Sequence, residues 1–371
     1  MIADDIPPET LASAGPSARR VAAIDCGTNS IRLLIADVSP ARAELADLAR
    51  RMEIVRLGQG VDATGRLAPE ALARTLRVLE QYAGEIRAAG AAATRMVATS
   101  ATRDASNAAD FTAGVVGILG IEPEVITGAQ EARLSFTGAT AELARPGRAA
   151  GLEPPFLVVD IGGGSTEFVV GGDGAAGGDG AAGGDGAAGG DGAAGGDGAG
   201  ELRAISTDIG CVRLTERHLR GDPPTAGQIA AATADIDAAI DKAAAVVLGG
   251  PAAASGTAAA ARTLVGLAGS VTTVAAIALG LPAYDPERIH HARITAGQVH
   301  DVAQRLLGQT RAQRAEIGSM HPGRVDVIGA GALILDRIVT RLGFGEVVAS
   351  EHDILDGIAW SLAAGAWSRG A

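Results

Sequence analysis

Aromatic side chains are almost missing from this chain: Phe, Tyr and Trp together make up 2% of it. An interior without rings must be filled by Ala, Val, Leu and Ile, which the 47% hydrophobic content supplies, with 53 glycines to let elements pack closely. Cysteine is as scarce. Cys26 and Cys211 alone exclude a disulfide framework and any metal site built on cysteine spacing; they read as free thiols in a reducing compartment. Positive charge is outweighed, with a formal net charge of -12, which argues against nucleic acid held on a broad basic surface. An anionic ligand would need its cations and backbone N–H groups concentrated in one cleft. Residues 1–18 have no basic n-region and no apolar run, so they read as a disordered lead-in and not a signal peptide. The charge-free stretch 263–281 is too rich in Gly, Ser and Thr for a good membrane span and reads as a buried turn and helix. The chain is expected to be cytoplasmic, with no membrane partner.

The length of 371 residues suggests two domains with cores of their own. Val21–Ile24 and Ile31–Val38 read as strands of one hairpin, with a third strand at Glu53–Leu57. Pro69–Ala89 has helical spacing and Pro in its first turn. A strand at Thr94–Ala98, a helix at Asp110–Leu119, a short strand at Glu124–Ile126 and a helix from Gly128 to about Leu143 follow. Gly- and Pro-rich residues 145–155 mark a domain boundary. Then the pattern restarts: strand Phe156–Asp160, a glycine turn, strand Glu167–Val170. Two copies of one strand–acid–glycine–hydroxyl turn–strand unit suggest two related halves facing each other. Residues 171–200 repeat Gly-Gly-Asp-Gly-Ala-Ala; without a bulky residue per turn this is a disordered hairpin tip, not a calcium-binding β-roll. Leu202–Ser206 returns as a strand. Helices at Ala226–Leu248, Ala296–Leu307 and Gln309–Ile317, a strand at Val325–Ile328, a helix to Leu342, a strand at Val347–Ala349 and a terminal helix from Ile354 complete an α/β pattern.

Chemistry concentrates in the two turns. In Asp25-Cys26-Gly27-Thr28-Asn29-Ser30, backbone N–H groups and small hydroxyls can form a nest for phosphate oxygens. Alone, the segment reads equally as an ordinary hairpin turn. The second turn, Asp160-Ile161-Gly162-Gly163-Gly164-Ser165-Thr166-Glu167, has more glycine than a hairpin needs, which permits close approach to a ligand. Its bracketing carboxylates would repel phosphate unless they hold a cation. Asp160, Glu167 and Asp25 are therefore candidate magnesium ligands. The histidines, His290-His291 included, have no metal-type arrangement.

The segments 21–30 (VAAIDCGTNS) and 158–168 (VVDIGGGSTEF) resemble the two phosphate loops of the actin, Hsp70 and sugar-kinase superfold. Further segments, TSATRDASN (99–107), TGAQEARL (127–134), LAGSVTT (267–273) and VIGAG (327–331), resemble those of the exopolyphosphatase / guanosine pentaphosphate phosphohydrolase (Ppx/GppA) family. The resemblance spans about Arg19 to Ala366 and implies two actin-like, ribonuclease H-like domains across a cleft. These are residues 19–145, with helix 351–366 packing back on them, and residues 155–350. It implies that Gly27, Thr28, Asn29, Ser30, Gly162, Gly163, Gly164, Ser165 and Thr166 bind phosphate. It implies Glu131 as general base and Arg103 as a catalytic phosphate-binding arginine. Without it, Glu131 reads as a first-turn residue favoured by the helix dipole. The family often has two adjacent Glu here; this chain has Gln130 then Glu131, so Glu131 alone can serve. Arg32 is a weaker candidate, read as an ordinary strand residue, and Arg213 a possible phosphate contact.

The implied reaction is release of orthophosphate from the end of inorganic polyphosphate, with Mg2+ or Mn2+. The alternatives are the same cleavage of pppGpp and, from another class, a sensor that binds (p)ppGpp without turnover. The short form suggests short chains, and a homodimer is compatible with family analogy.

Overall fold

The computed structural model describes residues 18–42, 44–141, 143, 152–172, 202–249 and 261–363. The expected lead-in (1–18, but for its last residue), nearly all of the Gly-Asp repeat and residues 145–151 of the 145–155 boundary lie outside them.

The first sheet grows from a hairpin of β1 (Arg19–Cys26) and β2 (Ser30–Ser39), to which β3 (Glu44–Ile54) adds antiparallel. Helices α1 (Val61–Thr64) and α2 (Pro69–Ala89) lead to β4 (Ala93–Ala98), which lies parallel to β1 on its other side. After α3 (Ser100–Arg103) and α4 (Ala108–Leu119), β5 (Glu124–Val125) closes the order β3-β2-β1-β4-β5. Strand alternation assigns the faces. Ala22, Ile24, Leu33 and Ile35 meet Leu79, Tyr82 and Phe111 of α2 and α4. Burying a side chain such as Phe111, fully enclosed, contributes about 1.5–3 kcal/mol.

The second sheet repeats the plan. After α5 (Gly128–Thr140) come β6 (Phe156–Ile161), β7 (Thr166–Gly171) and β8 (Arg203–Thr207), all antiparallel neighbours. Helices α6 (Cys211–Arg217) and α7 (Ala226–Val247) lead to β9 (Thr263–Leu267), parallel to β6. Then follow α8 (Ala268–Ala278), α9 (Pro286–Ile289), β10 (Arg293–Thr295), α10 (Ala296–Gly308), α11 (Arg311–Ala315), α12 (Ile328–Leu342), β11 (Glu346–Ala349) and α13 (Ile354–Ala363). Strands β8-β7-β6-β9-β11 match the first sheet's order, with β10 added at the edge. The chain is thus two ribonuclease H-like units in the actin-like arrangement.

The halves exchange helices. Helix α5, which the sequence reading assigns to residues 19–145, packs Ala132, Phe136 and Ala139 against Val158, Val169 and Val265 of the second sheet. Helix α13 returns to the first sheet, with Ile354, Leu355 and Ile358 against Val21, Ala23 and Leu34. The two helices cross backbone to backbone. A Cβ on Gly138 would stand 1.8 Å from the Asp353 carbonyl oxygen, and one on Gly357 2.0 Å from that of Leu134. Glycine is required at both positions.

Four expectations differ from the structure, the first being residues 263–281, read as a buried turn and helix, of which 263–267 form strand β9 inside the second sheet. The third strand runs Glu44–Ile54, not 53–57; as an edge strand it is half-exposed and its polar residues mask the pattern. Residues 325–327 are not a strand but the lead into α12, whose first turns are buried on both sides. Residues 211–217, left without an element, form α6.

Candidate active site

Both hairpin turns close in the same way: Gly27 N donates to Ser30 O and Gly162 N to Ser165 O, each at 3.0 Å. Each turn is also propped from behind through its carbonyls. Thr28 O accepts from Gly58 N (2.8 Å), and Asn29 O from Val55 N (3.0 Å) and Arg56 N (2.8 Å). In the second turn, Gly162 O accepts from Cys211 N (3.0 Å) and Gly163 O from Val212 N (2.9 Å). Gly164 O accepts from Arg213 Nε at 2.7 Å. In a trans peptide the next N–H points opposite to the carbonyl. The N–H groups of Asn29 and Gly163, residues that line the cleft, are therefore turned away from the props. The turns face each other closely: a Cβ on Gly163 would lie 3.2 Å from Asn29 N, and one on Gly164 2.5 Å from Ser100 Oγ. Thr28 and Ser100 share a hydrogen bond of 2.8 Å, fixing the first turn to α3. Ser165 and Thr166 are buried, with the Thr166 hydroxyl donating to Ile209 O.

The acids at the turns differ in partners. Asp25 stands opposite Arg32 in the β1–β2 register. Its Oδ2 accepts from Arg32 Nε (3.0 Å) and Nη2 (2.7 Å), while Oδ1 is buried without a partner. Arg32 also pairs with Asp353. It is therefore no ordinary strand residue; the signal was its hairpin register against Asp25. Asp160 stands opposite Glu167 at the equivalent place in β6–β7. Ser135 donates to Asp160 Oδ2 at 2.6 Å and Ser206 to Glu167 Oε1 at 2.7 Å. Burial raises both carboxyls above their ordinary range: Asp160 to about 6, with Asp353 adding repulsion, and Glu167 to about 8, with Asp160 adding it.

Glu131 lies in the first turn of α5. Thr127 and Gln130 form the capping box of this helix, Gln130 N donating to Thr127 Oγ1 at 3.2 Å and Gln130 Oε1 accepting from Thr127 N at 2.9 Å. Gln130 is thereby occupied and Glu131 is left for the cleft. Its Oε2 is buried with no hydrogen bond and lies 3.5 Å from Arg103 Nη1. Burial, then the charges of Glu167, Asp160 and Asp25, raise this carboxyl well above its usual range, against the pull of Arg103. Arg103 itself is anchored by donation to Ile126 O at 2.8 Å.

Arg213 does not reach into the cleft: its guanidinium is taken up by Gly164 O, Asp62 and Asp104. Arg324, not singled out from the sequence, does line the cleft. It donates to Thr273 Oγ1 at 3.1 Å and fills the space beside Gly269, where a Cβ would meet the guanidinium at 2.2 Å. Its local sequence carries no signal; only the packing of the 322–324 turn on α8 brings it there. Cys26 is buried, and burial followed by the Asp25 charge pushes its thiol far up. The space between the loops is about 90 Å³. It adjoins a chamber of about 490 Å³ lined by Arg51, Met52, Tyr284, Met320 and Pro322, with Arg32 and Arg324 bordering both.

Residues 34–364 match the Ppx/GppA phosphatase family. The chain is 47% identical over 355 residues to exopolyphosphatase 2 of Mycobacterium tuberculosis, covering 93% of this chain and 98% of that one. Among solved structures, an exopolyphosphatase-like protein superposes with a TM-score of 0.80 at 41% identity, over 93% of this chain and 98% of the other. The Ppx/GppA family member of Aquifex aeolicus gives 0.70 at 28% identity, over 95% and 100%.

Proposed function

The chain belongs to the Ppx/GppA phosphatase family, and from this we propose that it is an exopolyphosphatase, removing the terminal phosphate of short inorganic polyphosphate. The observation that carries the reading is Glu131, buried beside Arg103 at 3.5 Å in a cleft walled by two N–H-bearing loops. The loop N–H groups and Arg103 hold the terminal phosphoryl group and its developing charge. A water in line with the scissile bond is oriented by Glu131, which accepts its proton. The water oxygen bonds to phosphorus, the bridging P–O bond breaks, and its electron pair leaves with the shortened chain. Arg324 is a further cation for the substrate.

The residues fit a divalent cation. Asp160 and Glu167 face each other as buried carboxyls with their charged forms disfavoured, so a cation would offset their repulsion. Among the described residues no three acidic, thiol or imidazole groups form a complete cage. Magnesium needs none: it keeps several waters and binds through one or two carboxylates plus substrate phosphates. Asp160 and Glu167 would hold it, Mn2+ being the substitute, and it would supply charge neutralisation at the phosphate oxygens. Asp25, committed to Arg32, is the weaker ligand.

The adjoining chamber favours pppGpp as the second reading, because Met52, Tyr284 and Met320 offer apolar surface that a nucleoside could use and a phosphate tail could not. No described helix is long and apolar enough to cross a membrane. Phosphate release should be measured with magnesium on tripolyphosphate and pppGpp side by side. Glu131→Gln should lower kcat by about 10²–10⁴. Binding of pppGpp without release by the native protein would replace the hydrolase with a sensor.

A further inference from the structure

We propose that Arg213 is a positioning residue that makes the geometry of the glycine loop depend on closure of the cleft. The inference rests on the hydrolase reading above. One guanidinium, 13% exposed, spends its three nitrogens on three elements. Nε holds the Gly164 carbonyl at 2.7 Å, in the second half. Nη1 pairs with Asp62 of α1 at 2.5 Å and Nη2 with Asp104 at 2.7 Å, both in the first half. Asp104 caps α3, directly after Arg103. The same side chain therefore touches the loop that presents N–H groups and the short helix that carries the arginine beside Glu131.

Neighbours on α6 strengthen the crossing. Glu216 accepts from Gly60 N at 3.1 Å, and Arg217 Nη2 pairs with Asp62 at 3.2 Å. Residues 213, 216 and 217 share one helix face at i, i+3, i+4 spacing, so α6 meets α1 as a single polar surface. Were the halves to part, Asp62 and Asp104 would withdraw with the first half. Arg213 would keep the Gly164 carbonyl but lose both carboxylates that fix its fork, and a planar fork holds one orientation only while its acceptors are in place. Closure thus sharpens the loop, and substrate held between the loops stabilises closure.

The test uses full-length protein with magnesium and tripolyphosphate. It reads kcat and KM separately, and the small-angle scattering radius with and without tripolyphosphate. Asp62→Asn with Asp104→Asn should raise KM about 10-fold, because the closed state is less populated, and should lower kcat by less than Arg213→Met does, because the amide oxygens still accept from the fork. The substrate-bound radius of this double variant should stay nearer the open value. Arg213→Met should lower kcat by about 30-fold or more as the loop carbonyl loses its charged donor. Arg213→Lys should recover KM but not kcat, since a point charge can replace an ion pair and not the fork. Native kcat and KM in Arg213→Met would overturn the proposal. So would a double variant that compacts around tripolyphosphate as the native protein does, a result independent of turnover. Absence of phosphate release from the native protein would instead remove the hydrolase reading, leaving the scattering arm to decide the latch.

Discussion

At the same point of their hairpins, β1–β2 sets Asp25 opposite Arg32, and β6–β7 sets Asp160 opposite Glu167. Turn closure, carbonyl props and strand order are shared; the residue facing the acid is not. In the first half the acid is neutralised inside the protein, and Arg32 is further tied to Asp353 at the head of the returning helix α13. In the second half two carboxyls face each other, with hydroxyl donors from Ser135 and Ser206. Opposed like charges are destabilising, so the second pair has a use for a cation that the first has already met. One duplicated frame thus yields a structural acid and a pair of candidate metal ligands.

The comparison predicts opposite signs for charge removal at the two facing positions. Arg32→Met should destabilise by about 3–5 kcal/mol, because Asp25 and Asp353 would remain buried without their cation. The denaturant midpoint should fall with an unchanged slope. A loss below about 1 kcal/mol would mean that the two acids simply protonate, and the first half would no longer differ from the second.

Glu167→Gln should act the other way. Asp160 and Glu167 have folded values near 6 and 8, raised above their unfolded ones, burial being the first cause in each. Their bound protons therefore stabilise the fold. That contribution is complete below about pH 4 and is lost as pH rises through about 6 and then about 8. Metal-free native protein should melt lower at pH 8 than at pH 5.5, and magnesium should raise its melting temperature more at the higher pH. Glu167→Gln should stabilise the metal-free protein at pH 8 by about 1 kcal/mol or more and flatten the magnesium response. An equal magnesium shift at both pH values would separate the pair from the metal.

The duplicated hairpin with its two glycine turns and the helices starting at Pro69, Gly128, Ala226 and Ala296 were legible because local spacing and turn chemistry carry them. The Thr127–Gln130 capping box, carried by its Thr-x-x-Gln spacing, went unread, and it explains why Glu131 and not its neighbour faces the cleft. What else sequence reasoning missed is set by contacts distant along the chain. Arg32 was undervalued because its worth lies in Asp25 and in Asp353, more than three hundred residues away. Arg213 was directed at phosphate because a basic residue beside a glycine loop suggests it, whereas Asp62 and Asp104 of the other half claim it. Residues 325–328 look like a strand by composition. Yet Gly331 must be helical there, its missing side chain leaving room for Ser270 Oγ, which a Cβ would meet at 2.4 Å.

The smallest predicted effect lies one strand further along each half. Strand β4 is parallel to β1 as β9 is to β6, and each runs into a helix at the cleft. After β4, Thr99 makes the turn at φ -113°. After β9, Leu267 is likewise extended at φ -119°, but Ala268 then adopts φ +64°. A left-handed alanine costs about 1 kcal/mol, and this one lines the cleft. Ala268→Gly should therefore raise the melting temperature by no more than about 3 °C, the sum of relieved strain and added unfolded-chain entropy. If Ala268 is kept to hold Gly269 against Arg324, the same change should raise KM by a small factor while leaving kcat alone. A stabilised variant with native KM would show that the strain serves the turn and not the substrate, and the asymmetry between the halves would end at the acid pair.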